Sequence, residues 1–209
     1  MGEGLGEMMK IRQSKSIILA KQAGVPSRLS PLAPRLESLI FPTPLGWMGV
    51  AESEQGLAAI VLPQRSKAAV AASLGVHKAS RRASSSLGLR MARKQLVEYL
   101  AGTRTSFDLP LDLSRGTPFQ RRVWKRLRAI PYGQLWSYRG LAARVGGVQY
   151  ARAVGGAVGA NPLPIVLPCH RVVAQDATIG GFSCGLPAKR MLLTLEGSLP
   201  RLRSSGRDR

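Results

Sequence analysis

The chain has 209 residues, 44% of them hydrophobic, which is long enough for one or two domains with proper cores. Lys and Arg number 31 against 11 Asp and Glu, a formal net charge of +20, and a polyanion, nucleic acid first of all, is the partner such a charge fits. Only two cysteines are present, Cys169 and Cys184, which excludes a disulfide framework and a multi-cysteine zinc site and points to a reducing intracellular compartment; no apolar run is long enough to span a bilayer.

Residues 1–36 are basic and irregular and read as a flexible extension without a signal-peptide core. Leu39-Ile40-Phe41, Trp47 to Ala51 and Leu57 to Leu62 are short apolar runs separated by Pro44-Leu45-Gly46 and Glu54-Gln55-Gly56, the pattern of a three-strand meander. An alanine-rich helix is expected over residues 66–74, then a polar loop over His77 to Ser86, where His77 is solvated. Gly88 to Leu100 has helical spacing, with Leu89, Met91, Leu96, Val97 and Leu100 on one face. Phe107 to Leu113 alternates and reads as an edge strand or extended connection. This gives an α/β domain over 37–115, with a three-strand antiparallel sheet and helices, and a boundary near Ser114-Arg115-Gly116.

The second domain, 116–197, reads as mainly α. Thr117 caps a helix that opens on Pro118, carries Phe119, Val123, Trp124 and Leu127 on its apolar stripe, and is stopped by Pro131-Tyr132-Gly133. Ser137 caps the next helix, which Gly146-Gly147 ends. A third starts near Gln149 and carries Ala151, Ala153, Val154 and Ala157. Two short helices joined by a glycine turn are the layout of a helix-turn-helix. The second of them has few side chains able to read base edges, and its small residues allow close backbone approach to DNA without choosing a sequence. A glycine-rich loop follows at Ile179 to Gly185, then a closing helix over Leu186 to Leu195 with Leu186, Met191, Leu192 and Leu195 inward. Residues 198–209 read as a basic, disordered tail.

Pro164 to Val173 is the stretch around which the rest is arranged. Prolines at 162, 164 and 168 stiffen an apolar approach that ends on Cys169-His170-Arg171. Alone, a cysteine there is a small buried hydrophobe. Its surroundings change that reading.

From Thr117-Pro118-Phe119-Gln120, through Ile130-Pro131-Tyr132-Gly133, Ser137-Tyr138, Ala151 to Ala157 and Asn161-Pro162, to Pro168-Cys169-His170-Arg171-Val172-Val173, Gly180 to Ser183 and Leu192 to Gly197, the chain resembles the O6-alkylguanine-DNA alkyltransferases. The motifs follow in family order and spacing over nearly the whole second half; the first half matches in outline. The resemblance implies a ribonuclease-H-like first domain and a winged-helix-like second one. It makes Cys169 the nucleophile, which takes an alkyl group from guanine O6, irreversibly and once per molecule. A thiol titrates near roughly 8.5 and needs activation. His170, next in an extended backbone, points away from Cys169, so a bridging water would link them. Glu196 matches the glutamate that orients the histidine, Asn161 the asparagine that ties the turn, and Tyr138 the tyrosine that assists the leaving guanine.

The base must leave the stack to be reached. Arg152 matches the arginine that fills the gap, and Ala151, Ala153 and Gly155 lie along the minor-groove helix. Pro164, Val172, Phe182 and Ser183 match the walls of the base pocket, with Phe182 standing where the family often has tyrosine and Cys184 where it is commonly small. The expected partner is double-stranded DNA carrying O6-alkylguanine, with O4-alkylthymine as a further lesion. No metal, cofactor or membrane is expected, the chain acts as a monomer, and its place is cytoplasmic, at the nucleoid, or nuclear. A lesion-binding protein without catalysis and a helix-turn-helix regulator are the rival readings.

Overall fold

The computed structural model describes residues 36–75 and 86–202. The extension before Leu36, the loop carrying His77, and the end of the chain beyond Leu202 lie outside the described residues.

Three strands, β1 (Glu37–Thr43), β2 (Gly46–Ser53) and β3 (Gly56–Gln64), form an antiparallel sheet in chain order. Leu39 pairs with Val50, and Val50 with Ile60, so alternate residues of all three strands share a face. Phe41, Met48, Val50, Ile60 and Leu62 point to the main core. Ala51 and Val61 point to the other side, where helix α1 (Lys67–Leu74), capped by Ser66, lays Val70 and Leu74 on them. Gly49 makes this contact possible, since a Cβ there would stand 2.4 Å from a methyl of Val70.

Helix α2 (Leu87–Leu100) covers the main-core face of the sheet, capped by Ser86. Its buried stripe is Leu89, Ala92, Leu96 and Tyr99 with Leu100. Met91 and Val97, expected inward, are 40% and 38% exposed. The strand pattern explains the difference: the helix turns its 89/92/96/99 row to the sheet, at 3-4-3 spacing, and Tyr99 is drawn in with it. Gln95 is also buried, and its amide holds the backbone of Asp108 through both a donated and an accepted bond. Residues 107–113 make one parallel bridge, Leu111 to Leu57, and no longer strand.

The second half contains α3 (Pro118–Leu127), α4 (Tyr138–Val145), α5 (Ala151–Gly159) and α6 (Leu186–Leu195), with two short strands, β4 (Trp136–Ser137) and β5 (Val172–Val173), paired in parallel. Thr117 and Gln120 close a reciprocal capping box at the start of α3. That helix ends at Leu127, before Pro131, because Ala129 and Ile130 already fold back on the carbonyls of Arg126 and Leu127. Trp124 pins α3 to α5 by donating to the carbonyl of Ala157 at 2.7 Å. α6 buries Ala188, Lys189, Leu192 and Leu193, whereas Leu186, expected inward, is 41% exposed.

Residues 198–202 do not begin a disordered tail. Ser198 is fully buried, Leu199–Arg201 form a 3-10 turn, and Arg201 donates to the carbonyl of Gly133. One hydrophobic core runs through both halves, and the amide of Ile60 in β3 donates to the carbonyl of Pro162, so the sheet buttresses the approach to Cys169.

Candidate active site

The Pro-rich approach folds into two consecutive turns. The amide of Leu167 donates to the carbonyl of Leu163 at 2.8 Å, across Ile165, whose φ of 76° is a left-handed conformation costly for a β-branched residue. Pro168, at φ −76° and ψ 66°, is the centre of an inverse γ-turn in which Cys169 N–H donates to Leu167 O at 2.7 Å. Asn161 ties this turn from the end of α5. Its Oδ1 accepts from the amide of Leu163, and its Nδ2 donates to Leu167 O at 2.7 Å and to Cys169 Sγ at 3.0 Å.

Cys169, His170 and Arg171 then form a 3-10 turn. The extended backbone expected here is not what separates Cys169 from His170; the tight turn after Pro168 sets both side chains, and both are buried. Burial pushes the Cys169 thiol up to about 12, partly countered by the bond from Asn161. The resting sulfur therefore carries its proton.

His170 is fully buried, with Nε2 2.8 Å from Glu196 Oε1. Glu196 also collects donors from three further residues: Tyr99 Oη at 2.6 Å, Arg171 Nη2 and Nε at 2.8 and 2.9 Å, and the amide of Gly133 at 3.2 Å. Burial opposes its charge, yet the bonds from His170 and Arg171 outweigh it and hold the carboxyl at about 2. An ionised carboxylate only accepts, so Nε2 of His170 must carry the hydrogen. Burial holds the imidazole below its usual range, which keeps it neutral. The remaining lone pair is on Nδ1, which is buried and meets no hydrogen-bond partner among the described residues. A carboxylate at the end of α6 opposes the helix dipole, and the Arg171 guanidinium beside it offsets that cost.

Tyr138 starts α4 directly after the β4–β5 pair and donates to the carbonyl of Gly181 at 3.3 Å. Its ring lies between Gly155 of α5 and Gly180, where a Cβ would stand 3.9 and 3.4 Å from ring carbons. Burial, and then the Cys169 sulfur, raise its hydroxyl above the usual tyrosine range. Lys189 is fully buried and donates to Val172 O at 2.6 Å and Gly181 O at 3.1 Å, joining the cysteine turn to the glycine loop. Burial lowers its ammonium to about 8.

The structure thus makes two hydrogen-bonded pairs on neighbouring residues of one turn, Asn161 with Cys169 and His170 with Glu196, with Tyr138 across the glycine loop. Pro164 and Val172 are buried beside that turn; Phe182 is half-buried and Ser183 exposed. Arg152 and Ala153 stand apart from it, exposed on α5, with Ala151 and Gly155 half-buried. Sequence reasoning missed Tyr99, Arg171 and Lys189. Lys189 had a signal, since it falls on the same helical face as Leu192, Leu193 and Glu196; Tyr99 had the 3-4-3 row of α2. Among the described residues no group of three or more His, Cys, Asp or Glu could hold a metal ion, and no helix is long and apolar enough to cross a membrane.

A thiol held by an amide, beside a neutral imidazole that a carboxylate orients, is equipment for forming a bond to sulfur. Residues 118–198 match the family model of the 6-O-methylguanine DNA methyltransferase DNA binding domain, and residues 38–113 match that of its ribonuclease-like domain. Curated relatives named methylated-DNA–protein-cysteine methyltransferase include those of Mycolicibacterium paratuberculosis, 50% identical over 105 residues, and Salmonella typhimurium, 49% identical over 105 residues. These alignments cover 50% of this chain and 63% and 61% of the relatives, so the matched part spans under two thirds of their length. Among solved structures, the Mycobacterium tuberculosis OGT in complex with DNA is similar at 37% identity and a TM-score of 0.64, over 80% of this chain and 96% of that one. The O6-methylguanine methyltransferase of the same organism is similar at 33% identity and a TM-score of 0.62, over 82% and 97%.

Proposed function

Because the chain belongs to the 6-O-methylguanine DNA methyltransferase family, we propose that it repairs DNA by moving an alkyl group from O6-alkylguanine in the duplex to Cys169 Sγ, once per molecule and without a cofactor. The observation that carries this reading is the pairing of a buried Cys169 thiol, held by Asn161, with a buried His170 whose Nδ1 lone pair is unused. A thiol at about 12 reacts too slowly as it stands. One water between Sγ and Nδ1 lets His170 take the proton, and the Glu196 carboxylate, itself held ionised by Arg171, stabilises the imidazolium that results. The thiolate displaces the alkyl carbon from guanine O6. The C–O bond breaks as the S–C bond forms, and Tyr138, kept protonated by its surroundings, donates to the departing base. The thioether has no route back, which makes the protein a stoichiometric reagent.

The exposed face of α5 supplies the DNA contact. Arg152 fills the gap left by the flipped nucleotide, and Ala151, Ala153 and Gly155 let the helix lie close in the minor groove. Pro164, Val172, Phe182 and Ser183 wall the pocket for the base. The protein acts as a monomer in an intracellular, reducing setting. The α/β domain spans residues 37–115 and the DNA-binding domain 116–197.

The reading is tested on the DNA. Incubation of a duplex carrying one O6-methylguanine with increasing protein should restore guanine in proportion to protein added, with a plateau at one lesion per molecule. A Cys169→Ala chain that repairs equally well, or a wild type that turns over repeatedly, would contradict it. Tight lesion binding without repair would favour the non-catalytic sensor.

A further inference from the structure

The start of α5 is not all small residues. Val148 and Tyr150, on the 3-10 turn that leads into the helix, are 44% and 46% exposed, and Arg152 follows on the next turn. The Tyr150 ring is held in place. It lies over Gly146, where a Cβ would stand 3.7 Å from a ring carbon, and packs tilted against Phe119 of α3 with centroids 6.4 Å apart. Arg122 places its guanidinium 5.7 Å from the centroid of Phe119. A bare glycine turn below, one ring beside it and a cation behind that ring make a rigid aromatic shelf.

The shelf faces a polyanion on grounds of charge. Between residues 116 and 197 the chain has only two acidic side chains, Asp176 and Glu196, and Glu196 is buried. Arg121, Arg122, Lys125 and Arg152 are all exposed. An exposed ring packed on Phe119, with Arg122 over that ring and Arg152 two residues on, continuous with a helix of small residues, fits the wall and base edges of a duplex minor groove better than a second protein.

We propose that Tyr150 is a second wedge, which packs against the sugars and the base step next to the one that Arg152 enters and so holds the duplex bent while the nucleotide is outside the stack. The inference rests on the DNA reading above. It adds an affinity that does not depend on phosphate contacts, because the ring carries no charge.

The test is equilibrium binding of full-length chains to an undamaged duplex at several salt concentrations, in a Cys169→Ala background so that alkyl transfer plays no part. Tyr150→Ala should weaken binding roughly tenfold or more with the slope against salt unchanged. Tyr150→Phe should stay within about twofold, since stacking needs the ring and not the hydroxyl, and Arg122→Ala should lower the salt slope. Tyr150→Ala binding like its parent, or Tyr150→Phe weakening as much as Tyr150→Ala, would overturn the proposal, as would a self-association lost in Tyr150→Ala with duplex affinity intact. A parent that binds as stated while the wild-type chain takes up no alkyl group would keep the wedge and remove the repair reading. A parent without affinity for duplex would remove both.

Discussion

The hydroxyl of Tyr99 donates to Oε1 of Glu196 at 2.6 Å, so a helix of the first half holds the carboxylate that orients the histidine of the second. Tyr99 Oη also stands 3.4 Å from His170 Nε2. The N-terminal domain is thereby a support for the site as well as a neighbour of it.

Replacing Tyr99 with Phe removes one donor from a buried carboxylate and leaves the ring packing against Phe107 and Tyr132 intact. Stability should fall by about 1.5–3 kcal/mol, as for a hydrogen bond to a charged group, in urea denaturation. Alkyl transfer should slow less than in Glu196→Gln. Unchanged stability would mean that Tyr99 contributes packing alone.

Glu196→Gln keeps the shape and removes the charge. Arg171 is then a buried cation without its partner, which costs about 3–5 kcal/mol, and Nε2 of His170 is no longer held as the donor. Single-turnover transfer should slow by roughly a hundredfold or more. A variant that transfers at the wild-type rate would show that His170 needs no orienting group.

The acid limb of stability follows from the same groups. The carboxyl of Glu196 is held at about 2, below its ordinary 4.5, so the stability it contributes is present above pH 4.5 and is lost as pH falls toward 2. His170 is also lowered by burial, so protonation of the unfolded chain starts to reduce stability as pH falls below about 6.5. Denaturation midpoints should therefore decline from near neutrality downward, most steeply below pH 4.5. In Glu196→Gln that lower part should flatten; an unaltered slope would assign it to other carboxylates.

Asn161→Ala removes the donors to Leu167 O and Cys169 Sγ together with the acceptor for Leu163 N–H. The thiol should rise further, because the bond from Asn161 favours the thiolate. Alkylation by iodoacetamide as a function of pH should shift to higher pH, and transfer from duplex should slow by about tenfold. A shift to lower pH would contradict the assigned direction of that bond.

Much of the fold was legible because its signals are local. Thr117 and Ser137 cap helices where their spacing placed them, and the three apolar runs pair as a meander. What was misread depends on which element lies opposite. Met91 and Leu186 are apolar at acceptable helical positions, but the sheet and the glycine loop choose the neighbouring rows, and those rows contain Tyr99 and Lys189. Cys169, His170, Glu196 and Asn161 were nameable through a resemblance. The buried arginine and lysine were not, because a cation in an apolar segment is interpretable only once its carboxylate or carbonyl partners are located. The tight turn at Pro168 was hidden for a related reason: it is closed by an asparagine from seven residues earlier.

The most direct test of the account is the mass of the intact protein after reaction with a duplex carrying one O6-methylguanine, followed by peptide mapping. The account predicts a gain of one methylene per molecule, located on Cys169, absent from Cys169→Ala and strongly slowed in Glu196→Gln. A gain located on Cys184, or none at all with the lesion bound, would contradict it.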